Sequence, residues 1–504
     1  MKRRLRTATM STALGCMLGA CGGAGAPDVG QADPNDHQDG GDAGDDVVFV
    51  DTALGDGALA TEAGRDGALA IDTGGDAAAP PTCDPRTYGA KADGKRKDTA
   101  AIQQAIDACA GTLGTVLLHD GIFLSGMLTL KSAMVFSIDE TATLRGTQDD
   151  ADYPRTDPKT DNTQLLNCRK ALLYAEGAHD LRIDGKGTID GNGDTPKWIG
   201  PSTLHPEATR PMAIYTALSS NVTIANVHVK NAAMWGVVNL EADHLWIHDV
   251  VIDTPLSGNR DGIDVVDCHH VLIEDVTVTS EDDSICLKSG TARGVDDVLV
   301  RRVHVIRSIV ANALKMGTAS YGAFTRVTFE DVTIDSADKA AMAVESVDGA
   351  LIADITFRRI HFKDVGSPFF VLLGDRGTTP VGAVHRVGSV DGVRFEDIVG
   401  TSTRHTWGSP ISGTQTKDGV VHRLENIAFT NVTMTVLGGL GSTPRDPPEY
   451  AGQYPDPNLW GDTPGFAWFV RHANGVTFDH AVATTSKDAR RAMETRDVTG
   501  LVVK

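Results

Sequence analysis

The chain has 504 residues, of which 41% are hydrophobic and 5% aromatic, and its formal net charge is −21 at pH 7. This hydrophobic content is too high for a chain that is disordered throughout, and the negative charge argues against a nucleic-acid-binding protein, whose phosphate contacts need clustered Lys and Arg. Because no apolar run reaches the roughly 18 residues that span a bilayer, the sequence predicts a large core and no transmembrane helix.

Residues 1–21 have the layout of an export signal. The basic residues Lys2, Arg3, Arg4 and Arg6 precede a short apolar stretch, and the tetrapeptide Leu-Gly-Ala-Cys ends at Cys21. This layout is typical of a secretory signal peptide, and the small residues before the cysteine resemble a bacterial lipoprotein cleavage box. We therefore expect an exported protein held at the bacterial cell surface or outer membrane through lipid on Cys21. An ordinary signal peptide, which would give a secreted protein, is the alternative.

Residues 22–82 form an acidic segment of Gly, Ala and Asp with thirteen acidic side chains and a single cation, Arg65. Such a composition cannot offset the entropy lost on folding, so we predict a disordered linker followed by one folded domain at 83–504. In an oxidising compartment Cys83 and Cys109, which flank the first folded segment, are the expected disulfide. The remaining cysteines are expected to fill core positions as small apolar groups: Cys168, Cys268 and Cys286.

A short helix is predicted directly after Asp98, which can serve as its N-cap. Ile102, Ala105, Ile106 and Cys109 recur at the spacing of one helical face. We expect this helix to cover the open end of the core that follows.

From residue 183 the chain repeats one phrase of alternating apolar and polar residues bracketed by Asn or Asp, as in 221–229, 244–252 and 270–278. The fourth positions of successive copies are 224, 247, 273, 300, 329 and 357, and later copies are farther apart. Alternation with period two indicates half-buried strands, and a nearly constant spacing without helical segments indicates stacked strands. The predicted fold is therefore all-β, a right-handed parallel β-helix with an N-terminal capping helix. A β-propeller would need antiparallel hairpin turns.

Two acidic phrases lie on successive predicted turns, at 259–264 and 281–286. Asp261 and Asp282 are about one predicted turn apart, so they are expected to lie side by side together with Asp283. Neighbouring carboxylates raise one another's pKa, which allows one to act as an acid while the others act as bases. A single Asp would be read as a residue that ends a strand; three on adjacent turns favour catalysis.

These phrases resemble glycoside hydrolase family 28, the polygalacturonase family of pectin-degrading enzymes. The resemblance spans about residues 84–485 and includes an opening at 88–109, the segment 185–191, and Asn259-x-Asp261-Gly-Ile-Asp264 followed by Asp282-Asp283. It implies an inverting hydrolase of pectic polysaccharide, galacturonan or rhamnogalacturonan. Asp282 is then the general acid, and Asp261 and Asp283 are the bases that activate water. Inversion is associated with about 6.5 to 9.5 Å between acid and base carboxyls, which facing turns can provide.

Two motifs of the family are altered in this chain. Asn312 stands where a histidine is expected, and Glu345 lies in Ala-Val-Glu, where a basic phrase should hold a uronate carboxylate. Either another cation compensates or the sugar at the cleavage site is neutral, and Lys315 with Glu345 could instead be a structural surface pair. The expected substrate contacts are Asn259, Arg260, Asp264, Lys288, Asn312, Lys315 and Glu345.

Two other functions remain open at this point. The first is a polysaccharide lyase whose acidic cluster holds calcium, and the second is a non-catalytic carbohydrate-binding surface protein. The segment 444–457, with Tyr450, Tyr454 and Trp460 nearby, could be a sugar platform or a structural wrap. No cofactor motif or zinc spacing is recognised, and His269 and His270 are interpreted as surface residues. We expect a monomer that acts on polysaccharide, with no nucleic-acid partner.

Overall fold

The computed structural model describes residues 79–162, 169–200, 207–256 and 258–504. The predicted signal peptide, Cys21, most of the predicted linker and Cys168 lie outside the described residues. The first strand begins at Thr82, one residue before the predicted domain boundary, and the Thr115 amide donates to the carbonyl of Pro81 at 2.8 Å. The end of the segment predicted as linker is therefore part of the folded domain.

Within the described residues the fold is a parallel β-helix in which the chain visits three ladders of parallel strands in turn. The first ladder contains Leu128–Leu130, Ala171–Glu176, Met212–Ala217, Val237–Leu240, Ile263–Val266, Ile285–Ser289, Leu314–Ser320, Ala337–Ser346, Val365–Leu373, Ser409–Ser412, Gly465–Asn474 and Arg491–Thr499. The second contains Thr82–Cys83, Gly114–Leu118, Met134–Ile138, His179–Asp184, Ser220–Ala225, Asp243–His248, His269–Ser280, Val295–Ser308, Phe324–Ile334, Leu351–Phe362, Ser389–Ser402, Leu424–Val436, Thr477–Thr484 and Val502–Val503.

The third ladder begins with short strands and is continued by the C-terminal halves of the long strands of the second ladder. Its separate strands are Asp93–Lys97, Gly121–Ser125, Ala142–Gly146, Thr188–Asp190, His228–Lys230 and Val251–Thr254. From there Val251 pairs with Thr277, inside the strand that starts at His269. A small antiparallel pair, Thr414–Gln415 with Val421–His422, lies outside the ladders.

The repeated phrase places equivalent residues in register, which confirms the predicted architecture. Ile224 pairs with Ile247, Ile273 follows on the next rung, and the same position continues through Val300 to Phe329. Beyond it, a stack of phenylalanine rings with centroids 4.8 to 5.2 Å apart fills the core: Phe329, Phe357, Phe395, Phe429 and Phe478. Inward side chains of neighbouring rungs thus bury one another along the solenoid.

The Asn and Asp residues that bracket each phrase turn the backbone. Asn221, Asn226, Asp249 and Asp275 have φ between 50° and 58°. Asn and Asp adopt this left-handed conformation at lower cost than most other side chains, because their short polar groups bond locally. These residues let the chain bend between ladders, so their recurrence has a structural cause.

Helix α1 spans Thr99–Cys109 and places Ile102, Ala105 and Ile106 against the core, as predicted. The predicted side-chain cap by Asp98 is wrong. The Asp98 carboxylate instead accepts hydrogen bonds from the backbone N–H of Lys91 and Ala92, at 2.8 and 2.9 Å. Its carbonyl still accepts from the Ile102 amide, so Asp98 joins the preceding loop to the helix start.

In the part of the chain that the structure describes, the other helical segments are short: α2 at Pro457–Trp460 and three 3-10 turns at Pro85–Tyr88, Asp150–Asp152 and Glu207–Thr209. Among the described residues, no helix has both the length and the apolar character that crossing a membrane requires.

A disulfide joins Cys83 to Cys109, with the Cα atoms 6.1 Å apart. It links the first strand of the second ladder to the end of helix α1. Cys268 and Cys286 are buried free thiols within the solenoid.

Candidate active site

The acidic phrases lie in the turns that enter two neighbouring strands of the first ladder, Ile263–Val266 and Ile285–Ser289. The Gly262 amide donates to the carbonyl of Asp283 at 2.9 Å, and the Ser284 amide donates to the carbonyl of Asn312 at 3.0 Å. These bonds stack three successive turns. Side chains that are one turn apart in the sequence therefore meet on one face.

Asp261, Asp282 and Asp283 form a compact carboxylate cluster. One oxygen of each lies within 4.8 Å of the others. These oxygens are close because Asp282 and Asp283 are consecutive and Asp261 lies only one rung away. The separation of about 6.5 to 9.5 Å between acid and base carboxyls stays a prediction.

Asp283 is held as an ionised carboxylate by a buried set of donors. Its Oδ1 accepts from the backbone N–H and Nδ2 of Asn312, at 3.0 and 2.8 Å, and its Oδ2 accepts from Lys315 Nζ at 3.0 Å. Burial acts to raise the pKa of Asp283, but the charges of Lys315 and Lys288 and these hydrogen bonds outweigh it and lower the pKa to about 2. Asp283 is thus ionised above about pH 2.

Asp282 has the opposite electrostatic surroundings. Burial, and then the negative charge of Asp283, raise the pKa of Asp282 to about 6. Its Oδ1 accepts a hydrogen bond from the backbone N–H of Asp283 at 3.0 Å, and the side chain is partly exposed. Two adjacent carboxyls whose pKa values are driven apart in this way provide an acid and a base at one place.

Asp261 and Asp264 share one cation, Lys288. Lys288 Nζ donates to Asp261 Oδ2 at 3.0 Å and also contacts Asp264 Oδ1. Burial raises the pKa of both carboxyls, against the lowering effect of the lysine charge. Lys288 also lies 4.6 Å from the ring centroid of Trp235, an aromatic residue that the sequence did not single out.

Arg260 and Asn259 form hydrogen bonds within the protein that stabilise the turn before Asp261. Arg260 is fully buried, and its guanidinium donates to the carbonyls of Gly193 at 2.8 Å and Trp198 at 3.1 Å. The expected contact of Arg260 with substrate is therefore wrong. Asn259 has φ 54°, and its Oδ1 accepts from Arg210 at 3.2 Å, so it shapes the turn that carries Asp261.

A family model for glycosyl hydrolases family 28 matches residues 112–438. The chain belongs to glycosyl hydrolase family 28. An exo-poly-alpha-D-galacturonosidase of Dickeya chrysanthemi is 28% identical over 302 residues, which are 51% of this chain and 49% of that protein. The chain thus spans about half the length of this relative.

Two further comparisons extend over more of the chain. A probable polygalacturonase of Vitis vinifera is 25% identical over 368 residues, which cover 69% of this chain and 73% of that protein. The solved structure of a family 28 exopolygalacturonase from Yersinia enterocolitica matches with a TM-score of 0.65 and 19% identity, over 83% of this chain and 78% of that one. At this identity the structural match shows the shared fold.

In this member of family 28, the side chain of Asn312 donates a hydrogen bond to Asp283 of the carboxylate cluster. Asn312 is buried, its Oδ1 accepts from the Ala340 amide at 3.0 Å, and this bond directs its NH2 group at Asp283. The amide therefore positions a carboxylate, and contact of Asn312 with substrate stays a prediction.

Glu345 lies beneath the cluster with no exposed surface. Its Oε2 accepts from Thr318 Oγ1 at 3.2 Å and lies 3.9 Å from Lys315 Nζ, so the surface pair considered from the sequence is a buried one. Burial raises the pKa of Glu345 to about 7; the Lys315 charge opposes this rise and the Asp283 charge adds to it. Direct contact of Glu345 with substrate, as the sequence suggested, is therefore wrong.

Residues that are distant from the acidic phrases in the sequence border the site on a second side. We call this side the far wall; it consists of Lys339, Tyr454 and Asp456. Lys339 Nζ lies 2.9 Å from Asp456 Oδ2, and its positive charge acts on Asp282 and Glu345. Tyr454, which is 49% exposed, has its ring centroid 5.7 Å from Lys315 Nζ. Of the aromatic residues around segment 444–457, Tyr454 therefore borders the site, whereas Trp460 is buried in a satellite core.

Proposed function

We propose that this chain is a glycoside hydrolase that cleaves pectic polysaccharide, with Asp282 as the general acid. The observation that carries the proposal is the unequal bonding of two adjacent carboxyls: Asn312 and Lys315 donate to Asp283, and Asp282 lies beside it without a lysine donor among the described residues. These surroundings lower the pKa of Asp283 to about 2 and raise that of Asp282 to about 6. Between these values one carboxyl holds a proton and the other does not, as hydrolysis of a glycosidic bond requires.

In the proposed reaction, Asp282 donates its proton to the glycosidic oxygen as the bond to the anomeric carbon breaks. A water molecule attacks that carbon, and its proton passes to Asp283, whose pKa of about 2 keeps it ionised. Before the water attacks, Lys315 and Asn312 keep Asp283 ionised through their hydrogen bonds. The positive charge of Lys288 partly neutralises the negative charge of Asp261 and Asp264. The two products are a sugar with a new hemiacetal hydroxyl and a leaving alcohol.

The test is incubation of the purified protein with polygalacturonic acid and with rhamnogalacturonan, followed by measurement of new reducing ends. Asp282→Asn should lower the rate at least about 100-fold, because the amide cannot donate the proton. The matched control is Asp249→Asn, an exposed residue at φ 52°, which Asn also adopts easily. A rate in Asp282→Asn equal to that of the control would contradict the proposal.

We propose inversion as the stereochemical course, on the strength of the family resemblance. The anomeric configuration of the first product decides between inversion and retention. Proton NMR of the first product from an α-linked substrate should show the β anomer. The α anomer would establish retention.

We propose Lys339 as the cation that binds a uronate carboxylate in this site. Lys288 and Lys315 are each paired with buried carboxylates of the cluster, whereas the partner of Lys339, Asp456, lies on the loop that forms the far wall. Lys339→Met should raise KM for polygalacturonate more than for a methyl-esterified pectin and leave kcat less affected. An equal rise for both substrates would instead indicate that Lys339 acts through the shape of the loop.

We also propose that the protein is exported and anchored through lipid on Cys21. This proposal rests on the residues of 1–21 alone. Cys21→Ser should move the protein from the membrane fraction to the soluble fraction of the producing cell. Membrane association that survives the substitution would refute lipid attachment at this residue.

A further inference from the structure

A group of histidine and aspartate side chains lies on the second ladder, outside the carboxylate cluster. It consists of Asp243, His244 and His270, and we call it the His-Asp cluster. Each residue offers one ligand atom within 4.8 Å of the other two. His244 Nδ1 lies 3.2 Å from Asp243 Oδ1, His270 Nε2 lies 4.0 Å from the same oxygen, and the two imidazole centroids are 4.8 Å apart.

The register of the β-helix brings these residues together. Asp243 pairs with His269 and Leu245 with Val271, so His244 and His270 occupy equivalent positions on adjacent rungs. Both have left-handed backbones, with φ 56° and 54°, at the second residue of their strands, so the same local kink recurs on adjacent rungs. Because a whole turn of the solenoid separates the two histidines in the sequence, a search for a local metal-binding motif would not find them.

Asp243 Oδ1 is shielded from solvent by the two imidazoles and makes no hydrogen bond among the described residues, although His244 Nδ1 lies 3.2 Å from it. This oxygen therefore keeps its lone pairs for a ligand that the two imidazole nitrogens can share.

His270 is oriented as a metal-binding imidazole. Its Nδ1 lies 2.8 Å from Asp297 Oδ2 on the next rung, a contact in which the Nδ1–H donates to the carboxylate. This hydrogen bond leaves the lone pair on Nε2, which faces Asp243 and His244. Histidine ligands of zinc are commonly held in this way, with the second ring nitrogen bonded to a carboxylate.

We propose that the His-Asp cluster binds one Zn²⁺ ion through His244, His270 and Asp243, with water as the fourth ligand. Two nitrogens and one carboxylate oxygen suit Zn²⁺, whose tetrahedral shell at about 2.0 to 2.1 Å places ligand atoms about 3.3 Å apart. The observed 3.2 Å fits this value, and the 4.0 Å contact closes by small rotations of side chains that are 42 to 64% exposed. The bound ion joins two adjacent rungs and stabilises the native state by linkage.

The test is titration of the metal-free full-length protein with Zn²⁺, with calorimetry for affinity and thermal unfolding for stability. His244→Asn and His270→Asn remove an imidazole but keep a residue that accepts a left-handed backbone, as Asn221 does on the preceding rung. Asp297→Asn removes the carboxylate that orients His270. The control is His304→Asn, because His304 also contacts a carboxylate, Asp335 at 2.7 Å, but is flanked in register by threonines.

We expect the wild-type protein to bind one Zn²⁺ ion and to unfold at a higher temperature with the ion than without it. His244→Asn and His270→Asn should each weaken binding at least about 10-fold and abolish the rise in Tm, and Asp297→Asn should weaken binding about 10- to 100-fold. His304→Asn should bind as the wild type does. Metal-free variants with the wild-type Tm would show that folding is intact.

Two results would overturn the proposal. One is a wild-type Kd weaker than about 1 mM, which corresponds to a binding free energy of only about 4 kcal/mol. The other is unchanged affinity in His270→Asn, which would place the ion elsewhere, for example on the carboxylates of the active site.

Discussion

Replacing Lys315 by methionine should move the acidic limb of the pH–rate profile to higher pH. Lys315 Nζ donates to Asp283 Oδ2 at 3.0 Å, and both side chains are 4% exposed. Methionine has a similar length and fills the same space without the charge. Asp283 then loses the cation that favours its ionised form, and its pKa rises.

The size of the effect follows from the distance. Two unit charges 3.0 Å apart interact by about 5 kcal/mol at an effective dielectric constant of about 20, which corresponds to roughly 4 pH units. Asn312 and the Lys288 charge remain, so we expect a smaller shift of about 2 to 3 units, which places the pKa of Asp283 near 4 to 5. The acidic limb then approaches the basic limb set by Asp282, whose pKa is about 6.

The assay is kcat/KM on a soluble pectic oligosaccharide between pH 3 and pH 8. The wild-type rate should be flat at low pH and fall above about pH 6, because Asp282 must be protonated. Lys315→Met should give a narrow bell with a lower maximum. Lys131→Met is the matched control, since Lys131 Nζ lies 2.7 Å from Asp107 Oδ1 but both side chains are about half exposed.

The reasoning is refuted if Lys315→Met retains the wild-type acidic limb while its circular dichroism spectrum is unchanged. In that case Asp283 is kept ionised by Asn312 alone, or Asp283 is not the base that limits the rate. A shift of equal size in Lys131→Met would show that net charge, and not the local contact, governs the profile.

Glu345→Gln should stabilise the protein at high pH. Burial raises the pKa of Glu345 from 4.5 to about 7, so the stability that Glu345 contributes is complete below about pH 4.5 and is lost as the pH rises through 7. The variant should gain up to about 3 kcal/mol in the free energy of unfolding at pH 8 and little at pH 4, as measured by urea denaturation; equal gains would contradict this. For hydrolysis, chelator should leave the initial rate unchanged, because Lys288 and Lys315 already supply positive charge to the carboxylates. Products should lack the ultraviolet absorption of unsaturated uronates, and its appearance would favour a lyase.

The repeat alone was sufficient to predict the strand register. Ile224, Ile247 and Ile273 face the core because side chains alternate with period two and the phrase recurs once per turn. The proximity of Asp261 and Asp282 follows from the same periodicity, since residues one turn apart stack. The placement of these two candidate residues was therefore predictable, although the distances between their carboxyl oxygens were not.

The direction of a side chain in a turn was not predictable from the repeat. Arg260 lies between Asn259 and Asp261, yet its guanidinium points inward to carbonyls near residues 193 and 198. In a bend between ladders the alternation of period two is interrupted, so sequence position no longer determines which side chain faces solvent. Glu345 differs, because it lies within the strand Ala337–Ser346 and is buried there beside Lys315.

The amino-acid sequence by itself determined the β-helix, the stacking of its turns and the meeting of three carboxyls, because these depend on periodic and local patterns. Only the tertiary structure decided the charge of each carboxyl, because the pKa of Asp283 depends on a lysine and an amide from the next turn. Tertiary structure also decided the far wall, where Lys339 meets Asp456 from a distant part of the chain, and the surface pairing of His244 with His270. No local pattern connects such residues; they are brought together by the path of the loops and by the spacing of the rungs.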